Sequence, residues 1–223
     1  MIKAGFVTLL SVVCINAWAQ TPVEVLAGIG QTHYISYWQK DLDSAGRFNF
    51  FNLSRFAVGY VDASLNDVSI DGQCTYQLTR WFGVSAGGSY AGTGFVPTVG
   101  LSLGYANRKG DLAVAFYPLL QLGRPLALDL FGLVVYTPQF TPKLGLFAQL
   151  IFSTNLGVAR TNTSPRREIL GLFTRHNQGT QLVRLGLNLR QRLQFGLGAD
   201  LYQFGPGEGA FGNAGVFMRY QFD

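Results

Sequence analysis

Apolar and polar residues alternate with a period of two along most of this chain. In VSIDGQCTYQLT (68–79), Val68, Ile70, Gly72, Cys74, Tyr76 and Leu78 fall on one face, and Ser69, Asp71, Gln73, Thr75, Gln77 and Thr79 on the other. Successive side chains of a strand point to opposite faces, whereas a helix repeats its apolar positions every three to four residues, so this pattern predicts strand. FVPTVGLSLGY (95–105), VRLGLNLR (183–190), QFGLGADLYQ (194–203) and GVFMRYQF (215–222) repeat the template. Glycine- and proline-rich breakers separate the runs at 107–110, 123–125, 137–143 and 204–209. The expected strands are 23–37, 48–61, 68–79, 82–91, 95–106, 111–122, 126–136, 144–155, 180–190, 193–203 and 211–222.

Two all-β classes fit such a pattern. A soluble sandwich or barrel turns its apolar faces inward, while a transmembrane barrel turns them to lipid and keeps polar or small residues in the lumen. Three features favour the membrane. Most runs are about ten residues or longer, enough for a tilted bilayer crossing of about 9–11 residues and well beyond the 5–6 usual in soluble sheets. Tyr60, Tyr90, Tyr105, Tyr136 and Tyr220 stand at the ends of apolar faces, where interfacial girdles form. The opposite faces carry Gly83, Ser85, Gly87, Ser89, Gly100, Ser102 and Gly104, suited to a narrow lumen, and the whole chain has four Lys and three Glu. The expected fold is a single antiparallel transmembrane β-barrel of outer-membrane type. Single-chain bacterial barrels have even strand numbers, so eleven candidates imply ten strands if 23–37 is not a full wall strand. They imply twelve if 157–179 hides another, with RREILGLFT (166–174) as the candidate. The long connections 157–179 and 204–210 fall outside the cell, and 190–193 is a tight inner turn.

The first residues, MIKAGFVTLLSVVCINAWAQ, read as a secretory signal: Lys3, an apolar stretch over 6–15, and Ala17-Trp18-Ala19 before the cleavage point. That stretch is too short to cross a bilayer as a helix. Ser11 and Val13 do not make a lipidation site of Cys14. The mature domain is then 20–223, with Cys74 as its one cysteine and no disulfide. Its 13 arginines are scattered, and nucleic-acid binding, which needs a basic stripe on one face, is excluded.

YTPQFTPKLGLFAQL (136–150), QFGLGADL (194–201), GVFMRYQF (215–222) and FNFFNLSRFAVGY (48–60) together resemble a family of small, exported bacterial outer-membrane β-barrel proteins without an assigned activity. The resemblance covers roughly 48–223, with 157–179 as an insertion, and implies a fold and a location but no catalytic residues. The last strand, with Tyr220 and Phe222 on its apolar face, resembles the terminal signal read by the barrel-insertion machinery; Asp223 after the final aromatic departs from it. The inward apolar Phe217 suggests a partly filled barrel.

Candidate chemistry is sparse. GVSAG (83–87) matches a serine-hydrolase elbow, but Ser85 sits mid-strand with no helix after it. His33 and His176, the latter in the long loop, have no acid placed beside them by sequence and read as surface or interfacial residues. DLDSAG (41–46) resembles the start of a calcium loop, yet Ala45 stands in a ligand position and Asn52 replaces the closing Glu; it reads as a turn. No metal or cofactor is expected. Alternation projects Arg55, Arg184, Arg190 and Arg219, with Asp71, Asp129 and Asp200, into the lumen. There they either pair and plug the barrel or line a solute-selecting constriction. Leu119, Phe131, Leu133, Val135, Phe147 and Ile151 are also inward, which suggests packing against an internal segment such as 20–37, or an apolar ligand pocket. The functional expectation is a non-enzymatic narrow passive channel or small-molecule binding barrel. The alternative is a closed interaction barrel acting through loop 157–179, with Arg160, Arg166, Arg167 and Arg175; a lipid hydrolase comes third. If the loop is the working part, deleting residues 157–179 abolishes partner capture while heat-modifiable mobility on gels, the mark of a folded barrel, is retained.

Overall fold

The computed structural model describes residues 21–61, 66–92, 94–123, 126–157, 175–204 and 209–222. The signal segment and the candidate strand 166–174 lie outside them. The elements are β1 (Thr21–Gly28), β2 (Gln31–Asp41), β3 (Phe48–Gly59), β4 (Asp67–Thr79), β5 (Phe82–Ala91), β6 (Gly94–Ala106), β7 (Leu112–Gln121), β8 (Ala127–Tyr136), β9 (Gln139–Thr141), β10 (Leu144–Gly157), β11 (Arg175–Leu189), β12 (Leu193–Phe204) and β13 (Ala210–Phe222). Twelve of them form a closed wall in chain order, each antiparallel to the next, with β10 following β8. The three-residue β9 only extends the edge of β10. Closure runs from Thr21↔Phe222 to Gly28↔Gly215, so both ends of the wall meet at one rim, the terminus end. The opposite rim, the loop end, carries the long connection between β10 and β11.

Twelve strands arise by a route the alternation did not anticipate. The expected strand 23–37 is two strands, folded back at Gly28-Ile29-Gly30, so β1 and β2 are both wall strands and no internal plug forms from this stretch. The turn is held from outside its own hairpin. Asn213 of β13 accepts the Gly30 N–H at 3.1 Å and donates to the Gln31 carbonyl at 3.2 Å. A Cβ on Gly28 would overlap the Asn213 side chain, so the clamp depends on a glycine there. The β11 strand also starts earlier than expected, at Arg175, which places His176 in the wall opposite Leu156 rather than in a loop.

Outward faces are apolar from rim to rim: Val84, Val99, Leu101, Leu150, Val183, Leu185, Leu187, Leu197, Val216 and Met218 are all exposed. Aromatic residues mark both edges of this belt, with Tyr60, Tyr90 and Phe95 near the loop end and Trp81, Tyr105, Tyr136, Tyr220 and Phe222 near the terminus end. A continuous apolar surface of this extent on a folded chain requires a covering phase, and the flanking aromatics match two lipid–water interfaces. The exposed free thiol of Cys74 lies on the same face.

Inward glycines bring neighbouring strands close together at two places in the wall. At one, a Cβ on Gly186 or Gly196 would run into the backbone of the paired strand, and one on Gly215 into the Ala27 carbonyl. At the other, Gly87 sits against the Gly72 carbonyl and Gly100 against the Pro118 carbonyl. Pro118 has no N–H to donate, and the β6–β7 ladder skips from Gly100↔Leu119 to Leu103↔Phe116 across it. Two sides of the wall, β2–β3 and β7–β11, pack against each other across the lumen. Ile35, Phe51 and Leu53 of the first meet Tyr117, Leu119, Phe131, Ile151 and Leu182 of the second. Introducing a side chain at one of these glycines should force the backbones apart: Gly100→Val should cost about 1–3 kcal/mol. Gly104→Val on the same strand, where a Cβ meets nothing within 4 Å, should stay within about 0.5 kcal/mol of the parent, measured as the denaturant midpoint of the heat-modifiable form.

Candidate functional site

Among the described residues, polar groups gather in the lumen, and the inward positions of the wall strands supply them. On β1 the inward set is Pro22, Glu24 and Leu26, and on β2 it is Gln31, His33 and Ile35, all buried. β11 adds Leu182 and Arg184, β12 adds Asp200, and β13 adds Phe217 and Arg219.

Arg184 is the centre of a buried network. Its Nε donates to Glu24 Oε1 at 2.6 Å, and its Nη1 donates to Asp200 Oδ1 at 2.5 Å. Asp200 Oδ2 lies 2.8 Å from His33 Nδ1, and the Tyr202 hydroxyl lies 3.2 Å from the same nitrogen. An ionised carboxylate only accepts, so Nδ1 carries the proton facing Asp200. Side-chain exposure is 3% or less for all four charged or titratable members. A Cβ on Gly198, the register partner of Arg184, would crowd the Arg184 Cδ and Leu26 Cδ1 atoms, so the guanidinium reaches across only because that position is glycine. His33 is therefore an interior residue, which corrects its reading as a surface histidine: β2 starts afresh after the Gly30 turn.

Apolar clusters flank the network. Phe51 stacks on Tyr117 with ring centroids 5.4 Å apart, and Phe131 closes the group at 5.8 Å from Phe51. Phe147 and Phe217 pair at 5.6 Å beside Leu26, which accounts for the inward phenylalanine of β13. Arg219 lies over the rings of Tyr37 (4.6 Å) and Phe147 (5.1 Å), and Gln149 ties Tyr37 to Arg219. The inward apolar residues of β7–β10 thus pack against the opposite wall.

This septum separates two cavities. The loop-end cavity, about 490 Å³, has Phe51, Tyr117 and Phe131 as its floor and Arg55, Asp67, Asp71 and Asp129 among its walls. Arg55 approaches Asp71 at 3.7 Å and donates to Ser69 at 3.1 Å; Asp129 accepts from Ser153 at 3.0 Å. The terminus-end cavity, about 470 Å³, is lined by Lys109, Arg190, Arg192 and Arg219 with Asp111, Gln194 and Asn188.

Arg55, Asp71, Asp129, Arg184, Asp200 and Arg219 are thus inward, in three groups rather than one constriction. Arg190 departs from its expected place on the wall: it is exposed in the 190–192 turn, with φ of 52°, and reaches the terminus-end cavity from the rim. Arg160, Arg166 and Arg167 lie outside the described residues, and Arg175 opens β11. Ser85 exchanges a hydrogen bond with Thr75 at 2.7 Å inside a continuous strand. The DLDSAG stretch is a turn in which Asp43 accepts the Phe48 N–H and Gly46 takes φ of 63°. Glu24, Tyr37, Gln149, Tyr202 and Asn213 were not singled out by sequence. Alternation within β1 and β2 taken separately would have placed the first two.

No protein-family model matches the chain, and no curated protein matches it in sequence. Solved structures do. The NanC porin is similar over 92% of this chain and 99% of its own, at 11% identity and a TM-score of 0.50. The two share the fold of a closed antiparallel β-barrel. The KdgM porin also aligns, over 92% of this chain and 99% of its own, at 14% identity and a TM-score of 0.43.

The network carries a stability consequence. Arg184→Met leaves two buried carboxylates without their shared cation and should cost about 3–5 kcal/mol. Adding Glu24→Gln and Asp200→Asn should recover most of that loss, because the orphaned charges go with it. Denaturant midpoints of the refolded barrels in detergent give both numbers.

Proposed function

We propose that this chain is a non-enzymatic outer-membrane barrel that holds a small polar solute in its loop-end cavity and passes it only when the septum yields. It is a narrow passive channel or solute-binding barrel rather than an open pore. The observation that carries this reading is a cavity of about 490 Å³, within the range of roughly 300–1,000 Å³ typical of small-ligand sites, ending on the Phe51–Tyr117–Phe131 floor. Short connections at the periplasmic side and longer ones outside are the rule for such barrels, which turns this cavity to the exterior and both termini inward. Export by the N-terminal signal, and insertion through recognition of the β13 strand with Tyr220 and Phe222, complete the route to the outer membrane. The resemblance to small exported barrels without assigned activity supports the same location. Ser85, bonded to Thr75 in mid-strand, supports the absence of hydrolase chemistry.

The packed septum also favours a second reading, a closed barrel acting through its external loop, with Arg160, Arg166, Arg167 and Arg175 as the contacts. Planar-bilayer recording separates the two. For the channel reading, the wild type should give small, infrequent steps, and Phe51→Ala with Tyr117→Ala should raise conductance several-fold by removing the floor. Folded double-variant barrels that stay silent would reject the channel reading and leave the loop reading.

A further inference from the structure

The terminus-end cavity has a different character from the cavity above the septum. Its described lining holds four cationic side chains, Lys109, Arg190, Arg192 and Arg219, against the single carboxylate of Asp111. That carboxylate is engaged by the Asn107 side-chain amide. The charge excess is not confined to mobile surface residues, because Arg219 is 6% exposed. No carboxylate of a described residue lies within ion-pair distance of it. Glu24 is its register neighbour across the β1–β13 seam, but the bonded oxygen of Glu24 goes to Arg184. Besides its contacts with Tyr37 and Phe147, Arg219 makes a long hydrogen bond of 3.4 Å to Gln149 Oε1, and its Nε has no hydrogen-bond partner. A buried guanidinium with unmade hydrogen bonds is costly, and stacking on Tyr37 and Phe147 offsets only part of that.

A second unmet group lines the same cavity. Gln194 is 4% exposed; its amide nitrogen donates to Asn188, and its Oε1 has no partner. Both unmet atoms, on register partners of β12 and β13, are closed off from solvent, so what the cavity itself offers is its excess of cations. Water filling it neutralises nothing, whereas an oxyanion balances the charge.

The geometry points to an anion-binding site in the terminus-end cavity, taking a compact oxyanion such as phosphate. Arg219 forms its inner contact, and Arg190 and Lys109 close it from the rim. A guanidinium presents paired N–H donors to two oxygens of such a group, which a lysine at position 219 could not. The site belongs to the periplasm-facing mouth and is independent of the solute cavity on the other side of the septum. Its ligand is either free phosphate or a phosphate carried on a larger molecule, including a lipid headgroup.

The test is a ³¹P NMR titration of inorganic phosphate against the full folded protein in a phosphate-free detergent, with sulfate as the comparison anion. Saturable line broadening is expected with phosphate, and sulfate, also a compact oxyanion, should compete with it. Arg219→Gln should weaken phosphate binding about tenfold or more, the scale expected for losing a charge-assisted contact. Arg190→Gln should weaken it several-fold, and it keeps the test decisive if Arg219→Gln does not fold. Arg80→Gln, in the exposed β4–β5 turn and outside the cavity lining, should change nothing. Repeating the titration in nanodiscs of phosphatidylglycerol assigns the source: unchanged affinity means free phosphate, and loss of binding means that the headgroup already fills the site. No saturation in detergent, or an Arg80→Gln effect equal to that of Arg190→Gln, would overturn the assignment.

Discussion

The double salt bridge of Arg184 is the interaction on which the interior depends. It bridges the seam of the barrel, reaching from β11 to Glu24 on β1 and to Asp200 on β12. The closing β1–β13 pair lies within that span. An ion taken fully out of water loses its hydration, and only close, well-aligned partners restore the balance. Arg184 obtains them because Gly198 leaves room for its stem and because β1, shortened by the turn at Gly30, presents Glu24 inward at the right level. His33 and Tyr202 extend the same network from the neighbouring strands, so five side chains from four strands hold one another in place.

Around this centre the barrel behaves partly like a sandwich. Inward glycines at two places let the backbones approach, and facing sides of the wall bury Phe51, Tyr117, Phe131 and their neighbours against each other. The protein is apolar on both sides of parts of its wall: outward toward lipid and inward toward the opposite wall. Among the described residues the inward charges are consequently concentrated in the Arg184 network and the two cavities, whose linings differ in sign. Arg55 faces three aspartates in the loop-end cavity, while four cations face one aspartate at the terminus end. The packed septum stands between these two linings.

Much of this was legible from alternation. The wall strands from β3 onward stand close to where period-two patterning puts them, because one face of each must meet lipid and a one-residue slip would turn every side chain around. The same argument placed Arg55, Asp71, Arg184, Asp200 and Arg219 inward. It failed at 23–37, where Gly28 and Gly30 carry a hairpin that depends on Asn213, distant in sequence. With that turn missed, the faces of β1 and β2 were joined as one. His33, read as surface or interfacial because no acid stood beside it in sequence, is buried, and Glu24 shares the interior with it once the two strands are taken separately. It also failed at Arg190, where alternation continued on paper into a turn that the backbone takes with two consecutive left-handed residues.

By itself the sequence determined the class of fold, the lipid-facing belt with its aromatic edges, and the inward direction of most charges, since each follows from local periodicity and from the demand of the bilayer for paired backbone groups. Tertiary structure alone decided which inward charges meet, that Phe217 packs on Phe147, that the lumen is filled rather than open, and that two cavities of opposite character remain. Those outcomes rest on cross-barrel distances, set by where glycines let the strands approach and by the register at closure. No stretch of residues read along one strand contains that information.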